Sequence, residues 1–159
     1  MLSEILSREE CAKCRICCSF DSYDIWEAPF VTKELAAKIH GEISADIELI
    51  EKSPNGGVLK MPKEQDEDLY YCNVLDKSKG CILGKDKPFE CSIWPLRVMN
   101  FCGKRVIALS PVCPVVMSRP VEKVAAVAKK LSKTIFEQAD KNPDSVKQFE
   151  PGYIILVSE

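Results

Sequence analysis

The spacing of hydrophobic and polar residues predicts a long amphipathic helix towards the C-terminal end of the chain. Apolar residues recur there every three or four positions, and lysines occupy several of the intervening ones. This period places the apolar side chains on one face of a helix. We expect the helix to span residues 121–139, within a C-terminal helical segment of residues 118–141. Its apolar positions are Val121, Val124, Ala128, Leu131 and Ile135.

Two shorter helical patterns precede it. Thr32 is a predicted N-cap for a helix over residues 33–40, because a threonine there can accept the first free backbone N–H groups. We expect Gly41 to stop or bend this helix. Ser44 is a second predicted cap, since isoleucines at spacings of four and three surround it. These isoleucines are Ile43, Ile47 and Ile50.

Short apolar runs bounded by turn residues predict the strands. A break rich in turn residues spans 53–57, and a second turn spans 76–80. An acidic stretch at residues 64–68 reads as a solvated loop. No linker divides the chain, so we expect residues 1–159 to form a single domain. The predicted strands are residues 58–61, 69–75, 105–110 and 153–157.

The composition and the net charge argue against several classes of function. The chain has 159 residues, of which 46% are hydrophobic, so it can bury a normal core and intrinsic disorder is disfavoured. The 24 acidic and 22 basic residues give a net charge of −2, which argues against a nucleic-acid-binding surface spread over the whole protein but leaves a local patch open, and no nucleic-acid partner is evident. The first residues resemble no signal peptide and no run is long enough to cross a membrane. We therefore expect a cytoplasmic protein without a membrane partner.

Nine cysteines are the unusual feature of the composition. Thiols stay reduced in the cytosol, so metal ligation, cluster ligation or redox chemistry is the expected reason for keeping them. Four cysteines fall within eight residues, and the other five follow a long gap at intervals of nine to eleven residues. The first group is Cys11, Cys14, Cys17 and Cys18, and the second group is Cys72, Cys81, Cys91, Cys102 and Cys113.

The first group contains two consecutive C-x2-C steps, which can supply three metal ligands from one loop. Cys113 is the predicted fourth ligand, since Pro114 follows it in a proline-rich loop. Adjacent side chains diverge, so we expect one of Cys17 and Cys18 to serve a second site, or to be a buried thiol or one that only supports the ligands. A second site would then use Cys18 together with later cysteines. These are Cys72, Cys81 and Cys91, with Cys102 as the spare thiol.

The spacing favours a 4Fe-4S cluster, because three ligands on one loop plus one remote ligand are typical of such clusters. Zinc is the alternative, since it also accepts four thiolates. The function expected first is an iron–sulfur protein in redox, electron-transfer or maturation chemistry. The other expectation is a non-enzymatic zinc module with a structural or interaction role and a possible protein partner. A labile thiol-redox or metal-delivery protein is a third.

The cysteine pattern resembles a known family. The run Cys11-x-x-Cys14-x-x-Cys17-Cys18, together with Tyr71-Cys72, Gly80-Cys81 and the segment 87–96 around Cys91, is similar to the CxxCxxCC family. That family is described as a zinc- or iron-chelating domain and as YkgJ-like cysteine-cluster proteins. The resemblance covers about residues 11–114 and implies that these cysteines bind a metal.

The sequence does not decide whether the protein is an enzyme, which metal it binds, or whether it has one metal site or two. A Cys-His nucleophile pair would require the single histidine, His40, which nothing in the sequence brings to a thiol, and no glycine-rich phosphate loop is present. We expect an α+β fold, a small single domain in which short strands and metal-bound loops pack against two to three helices. The candidate metal ligands are Cys11, Cys14, Cys17, Cys18, Cys72, Cys81, Cys91 and Cys113.

Overall fold

A computed structural model of the chain describes residues 1–22, 25–43, 47–63, 68–76 and 78–159. The predicted α+β class is confirmed. The chain divides into two compact units, and the predicted single domain stays a prediction. The terminal unit comprises Met1–Cys11 and Phe89–Glu159, and the central unit comprises Ala12–Pro88.

Five α-helices lie in the described residues, and four single 3-10 turns accompany them. The α-helices are α1 (Arg8–Cys14), α2 (Lys33–Glu42), α3 (Phe89–Ile93), α4 (Pro114–Met117) and α5 (Val121–Lys141). The 3-10 turns are Ile16–Cys18, Ile25–Glu27, Gly84–Asp86 and Pro143–Ser145.

Eleven strands lie in the described residues and form four small sheets. The first seven are β1 (Ser19–Phe20), β2 (Val31–Thr32), β3 (Leu49–Ser53), β4 (Gly56–Leu59), β5 (Tyr70–Tyr71), β6 (Leu75–Asp76) and β7 (Gly80–Cys81). The other four are β8 (Leu96–Phe101), β9 (Lys104–Leu109), β10 (Lys147–Gln148) and β11 (Ile154–Ser158).

The terminal unit is a four-stranded sheet with α5 on one face. The strand order is β10-β8-β9-β11, in which β10 is parallel to β8 and the other pairs are antiparallel. Alternation along β8 turns Val98 towards the α5 side and Met99 towards the opposite side. Both faces are apolar, and burying them is the main stabilisation of this unit. The buried residues on the α5 side include Leu96, Val98, Ile107, Leu109, Val124, Ala128 and Ile135.

The central unit contains the sheet β2-β4-β3 together with α2 and the two small pairs β1–β5 and β6–β7. Its core is small, and Val31 and Ile39 are fully buried within it. Glycines are required in β4, because a Cβ at Gly57 would lie 1.9 Å from the carbonyl oxygen of Ile50. The neighbouring strand therefore approaches β4 too closely for any side chain there.

Two of the three predicted helices are confirmed, and the third was wrong. The helices at residues 33–40 and 121–139 are confirmed as α2 and α5, and Thr32 caps α2 by accepting a 3.2 Å hydrogen bond from the N–H of Leu35. Gly41 does not stop α2, which continues to Glu42. The predicted helix around Ile47 and Ile50 was wrong. Strand β3 occupies that segment because it pairs with β4 over Leu49 to Ser53, and Ser44 lies outside the described residues.

Three of the four predicted strands correspond to single strands of the structure. Residues 105–110 and 153–157 are confirmed within one residue as β9 and β11, and β4 begins two residues before the predicted strand at 58–61. The predicted strand at 69–75 is two strands separated by a turn at Cys72. Strand β8 was not predicted. Most of the acidic stretch at 64–68 lies outside the described residues.

Candidate metal centre

All nine cysteines lie in described residues, and all are in the thiol form. The central unit holds five of them, and the terminal unit holds the other four. The five in the central unit are Cys14, Cys17, Cys18, Cys72 and Cys81, and the four in the terminal unit are Cys11, Cys91, Cys102 and Cys113.

The first C-x2-C step is helical, whereas the sequence predicted a loop. Cys11 lies within α1 and Cys14 is its last residue. A reciprocal cap starts this helix: the hydroxyl of Ser7 accepts from the N–H of Glu10 at 3.1 Å, and the Glu10 carboxylate accepts from the N–H of Ser7 at 2.9 Å. The Ser-x-x-Glu pattern is a sequence signature of a helix start, so it could have revealed α1.

Helix α1 is followed by Arg15, whose backbone lies in the left-handed region with φ of 57°. The Arg15 side chain folds back and donates from Nε to the carbonyl oxygen of Ala12 at 3.1 Å. A left-handed conformation is costly for a residue with a Cβ. The reversal directs the chain into the 3-10 turn Ile16–Cys18, so the second C-x2-C step is bent sharply.

The adjacent thiols of Cys17 and Cys18 do not diverge, which corrects the expectation from sequence. Their sulfur atoms are 3.9 Å apart. Both cysteines lie in the 3-10 turn Ile16–Cys18, and their thiols are in contact there although successive residues of such a turn point in different directions. The argument from diverging side chains therefore fails, and the assignment of the two cysteines to one site or two stays open.

Cys72 is held beside Cys18 by the backbone. Strands β1 and β5 pair in antiparallel register, with Ser19 opposite Tyr71. The next residue continues the pairing, since the N–H of Cys72 donates to the carbonyl oxygen of Cys18 at 2.9 Å. Cys18 and Cys72, which have 53 residues between them in sequence, are thereby fixed next to each other.

Cys72 begins a turn in which the N–H of Leu75 donates to its carbonyl oxygen at 2.9 Å. The Cys72 sulfur accepts a hydrogen bond from the N–H of Val74. Burial raises the pKa of the Cys72 thiol, the Val74 N–H opposes this, and the Cys81 thiol raises the pKa further. The neutral thiol is thus favoured until a cation offsets the charge of the thiolate.

Cys81 is joined to the same region by β6 and β7, which place Leu75 opposite Cys81. Gly80 precedes it with φ of +80°, and a Cβ there would lie 3.6 Å from the Cβ of Ala12 in α1. This close packing keeps β7 against the helix that carries Cys14. The central unit therefore arranges its five thiols on segments that are in direct contact.

The remaining cysteines have separate surroundings in the terminal unit. Cys91 is partly buried on α3, beside an ion pair between Glu90 and Arg97 with an N–O distance of 3.1 Å. Cys113 lies in the hydrophobic core at 6% exposure, and Cys102 is exposed at the tip of the β8–β9 hairpin. The spare role predicted for Cys102 stays a prediction, as do the ligand roles of Cys11, Cys91 and Cys113.

The thiols of the central unit are donors of the type that a soft metal prefers. Thiolates are the ligands preferred by zinc and by iron–sulfur clusters. Next to Cys72, the side-chain oxygen of Asn73 is buried, and no hydrogen-bond donor in the described part of the chain reaches it. A buried carbonyl oxygen without a donor is costly, and a nearby cation would offset that cost. Among the described residues, no three His, Cys, Asp or Glu side chains are grouped closely enough to hold a metal.

Comparisons with protein-family models, curated proteins and solved structures found no match. The resemblance to the CxxCxxCC family therefore rests on the cysteine spacing alone and stays a prediction. Within the described residues, no helix is both long and apolar enough to span a membrane.

Proposed function

We propose that this chain is a cysteine-ligated metal protein of the CxxCxxCC type. One observation carries the proposal: five thiols of the central unit lie on segments joined by the β1–β5 pair, the β6–β7 pair and the contact of Gly80 with Ala12. Ordinary folding does not require that concentration of thiols, and four thiolates are enough for a zinc ion or a cluster. A reducing, cytoplasmic compartment is part of the proposal, because it keeps thiols available as ligands.

The first candidate cofactor is a 4Fe-4S cluster in a redox, electron-transfer or maturation role. The consecutive C-x2-C steps at Cys11, Cys14 and Cys17 support it. When bound, the cluster supplies one-electron chemistry. The chain contributes thiolate ligands, the N–H of Val74 directed at the Cys72 sulfur, and partial burial that limits access of water.

Zinc in a structural or interaction module is the second candidate, and a specific observation favours it. Two thiolates on one tetrahedral zinc are about 3.8 Å apart for zinc–sulfur bonds of about 2.3 Å. The sulfur atoms of Cys17 and Cys18 are 3.9 Å apart. Two irons of a cubane would each take one cysteine, so this distance suits one ion better than two irons.

Metal counting tests the proposal. The protein is purified without oxygen, and iron, acid-labile sulfide and zinc are measured per chain. Four irons with four sulfides support the first candidate, and zinc without sulfide supports the second. A colourless protein that holds no metal after reconstitution with iron, sulfide and zinc contradicts both.

Single variants locate the ligands. Cys14→Ser removes a thiol of the central unit, and we expect it to lower metal content and melting temperature together, since metal binding contributes to folding. Cys102→Ser is the matched control, because its thiol is exposed at a hairpin tip of the terminal unit. Equal metal content and melting temperature in the two variants would remove Cys14 from the ligand set.

A further inference from the structure

We infer that Cys17 and Cys18 are a reactive thiol pair that closes reversibly to a disulfide between adjacent residues. The oxidant is a small disulfide of the glutathione type. This inference goes beyond the proposed function, because the pair reacts with no metal bound and needs no third thiol. Where the proposed function also holds, oxidation withdraws two of its candidate ligands, so metal binding becomes sensitive to the redox state of the surroundings.

Contact between the two thiols is the first support. Their sulfur atoms are 3.9 Å apart, and both residues are only partly buried. A disulfide bond is about 2.05 Å long, so the sulfur atoms must approach each other by about 1.9 Å. Rotation of the two side chains about their Cα–Cβ bonds moves the sulfur atoms in this way.

The backbone of Cys18 is held on both sides, which is the second support. Its N–H donates to the carbonyl oxygen of Arg15 at 3.0 Å, and its carbonyl oxygen accepts from the N–H of Cys72 at 2.9 Å. The first of these bonds fixes the peptide unit that joins Cys17 to Cys18. Two groups held in place in this way react as if each were highly concentrated at the other.

Cys72 is the competing partner of Cys18, because it lies opposite Cys18 on the neighbouring segment. Opposite residues of an antiparallel pair have Cβ atoms about 4.5–5.5 Å apart, and the wide end of this range belongs to pairs joined by backbone hydrogen bonds. Such a bond joins Cys72 to Cys18. A disulfide requires about 3.5–4.5 Å between the Cβ atoms, so the backbone pairing disfavours closure with Cys72.

The adjacent position of the two cysteines makes their disulfide easy to reduce. Neighbouring Cα atoms are about 3.8 Å apart across a trans peptide bond, which is below the usual range of about 4.4–6.8 Å for disulfides. The ring that closes also contains a peptide unit, which resists distortion from its plane. Strained disulfides are the labile and regulatory ones. We therefore expect the pair to act as a switch and not as a structural cross-link.

Two thiol–disulfide exchanges form the bond. The thiolate of one cysteine attacks a sulfur atom of glutathione disulfide, whose S–S bond breaks, so that one glutathione thiolate leaves and a mixed disulfide remains. The other cysteine thiolate attacks the protein sulfur atom of the mixed disulfide, and the second glutathione leaves. The cysteine pair has then lost two electrons and two protons, and glutathione disulfide has accepted them and become two molecules of glutathione.

The test uses the full chain in the presence of a chelator, equilibrated without oxygen in mixtures of glutathione and glutathione disulfide. The remaining thiols are then alkylated. Trypsin cleaves after Arg15 and Lys33, so it releases Cys17 and Cys18 on one peptide, residues 16–33, which has no other cysteine. We expect this peptide to be unalkylated, linked to no other peptide, and lighter than its reduced form by the mass of two hydrogen atoms. Added reductant should restore alkylation of both thiols.

Variants and an unfolded control show whether the folded pair is responsible. Cys17→Ser and Cys18→Ser should each lose the internal disulfide completely and carry glutathione on the remaining thiol. Cys102→Ser is the matched control and should keep the disulfide, because its thiol is exposed at a hairpin tip of the terminal unit. In urea, the wild type should form less of the disulfide at the same glutathione ratio, since the turn no longer holds the thiols in contact.

Four results on the wild-type chain would overturn the inference, so a variant that fails to fold does not affect the decision. These are a link from peptide 16–33 to the peptide that carries Cys72, mixed disulfides with glutathione only, alkylation of both thiols in the most oxidising mixture, and equal disulfide formation in urea. A protein that binds metal but does not close the pair contradicts this inference alone. A protein that closes the pair but binds no metal contradicts the proposed function alone.

Discussion

The backbone N–H of Cys72 donates a 2.9 Å hydrogen bond to the carbonyl oxygen of Cys18. Neither residue belongs to a strand, but each directly adjoins one, so the bond extends the β1–β5 pair by one step. The main chain thus holds two candidate ligands in place before any metal arrives. Only the side-chain conformations then determine how closely the two sulfur atoms approach each other.

The first prediction concerns the effect of metal on this bond. Adding Zn²⁺ to the metal-free protein should slow hydrogen exchange at the Cys72 amide, because a ligand that binds only the folded state stabilises it. At a free concentration of 100 times the dissociation constant, that stabilisation is about 2.7 kcal/mol, or about a hundredfold in exchange by global opening. Exchange followed by NMR or mass spectrometry measures it.

The control for this measurement is the same titration on Cys102→Ser, which should behave as the wild type. Cys18→Ser should lose most of the protection while keeping the backbone hydrogen bond, since only the thiol is changed. Equal exchange at the Cys72 amide with and without Zn²⁺ would contradict the proposed role of this region.

The second prediction concerns the left-handed backbone of Arg15. Arg15→Gly should raise the free energy of unfolding of the metal-free protein by about 1 kcal/mol, because glycine adopts this conformation without a Cβ penalty. Arg15→Ala keeps the penalty and loses the hydrogen bond to Ala12, so it should be no more stable than the wild type. Urea unfolding of both variants measures the difference, and equal stability of the two would show that Arg15 carries no strain.

The sequence predicted elements well where one local pattern decides the structure. The apolar spacing of α5 persists over four turns, and the cap at Thr32 is made within three residues, so both helices were found. Ile47 and Ile50 have helical spacing too, but pairing of β3 with β4 decides their segment, and a local pattern does not reveal a partner strand.

The candidate site likewise has features that a local sequence pattern predicts and features that it does not. Cysteine spacing predicted a metal site and eight candidate thiols, and both stay predictions. It did not reveal that the thiols of Cys17 and Cys18 approach each other, because that distance depends on backbone and side-chain conformations that the spacing does not determine. The N–H of Val74 and the buried oxygen of Asn73 were also missed, since any residue type has a backbone N–H and an asparagine in a loop is ordinary.

The third prediction tests the close approach of β3 to β4. Gly57→Ala should lower the free energy of unfolding by roughly 2 kcal/mol or more, because its Cβ would lie 1.9 Å from the Ile50 carbonyl oxygen and the strands would have to separate. Gly41→Ala is the matched control on α2. A Cβ there has no described atom within 4 Å, so alanine should stabilise the helix by up to about 1 kcal/mol.

Thermal and urea unfolding of the two alanine variants give the comparison. The expected changes have opposite signs although the substitution is the same, which separates strand packing from the general effect of replacing glycine. A Gly57→Ala protein as stable as the wild type would mean that β4 does not lie this close to β3.

The fourth prediction concerns the turn between β6 and β7, which connects the Cys72 and Cys81 segments. The Asp76 carboxylate accepts from the Ser78 hydroxyl at 2.6 Å and from the N–H groups of Lys79 and Ser78 at 2.7 Å each. These hydrogen bonds, the one from the Ser78 hydroxyl first, lower the pKa of Asp76 from 3.8 to about 2. NMR titration of the Asp76 carboxyl carbon should give that value.

The lowered pKa fixes the pH range in which the turn contributes stability. Because the folded state holds the carboxylate form, the contribution is fully present above about 3.8, the unfolded value, and is lost as the pH falls through about 2. Ser78→Ala removes the hydroxyl that lowers the Asp76 pKa most, so this pKa should rise towards 3.8 and the contribution should shrink at neutral pH. Ser78→Thr keeps the hydroxyl and should titrate like the wild type. An Asp76 pKa near 3.8 in the wild type would show that the turn does not stabilise the carboxylate. The turn would then not help to hold the Cys72 and Cys81 segments together.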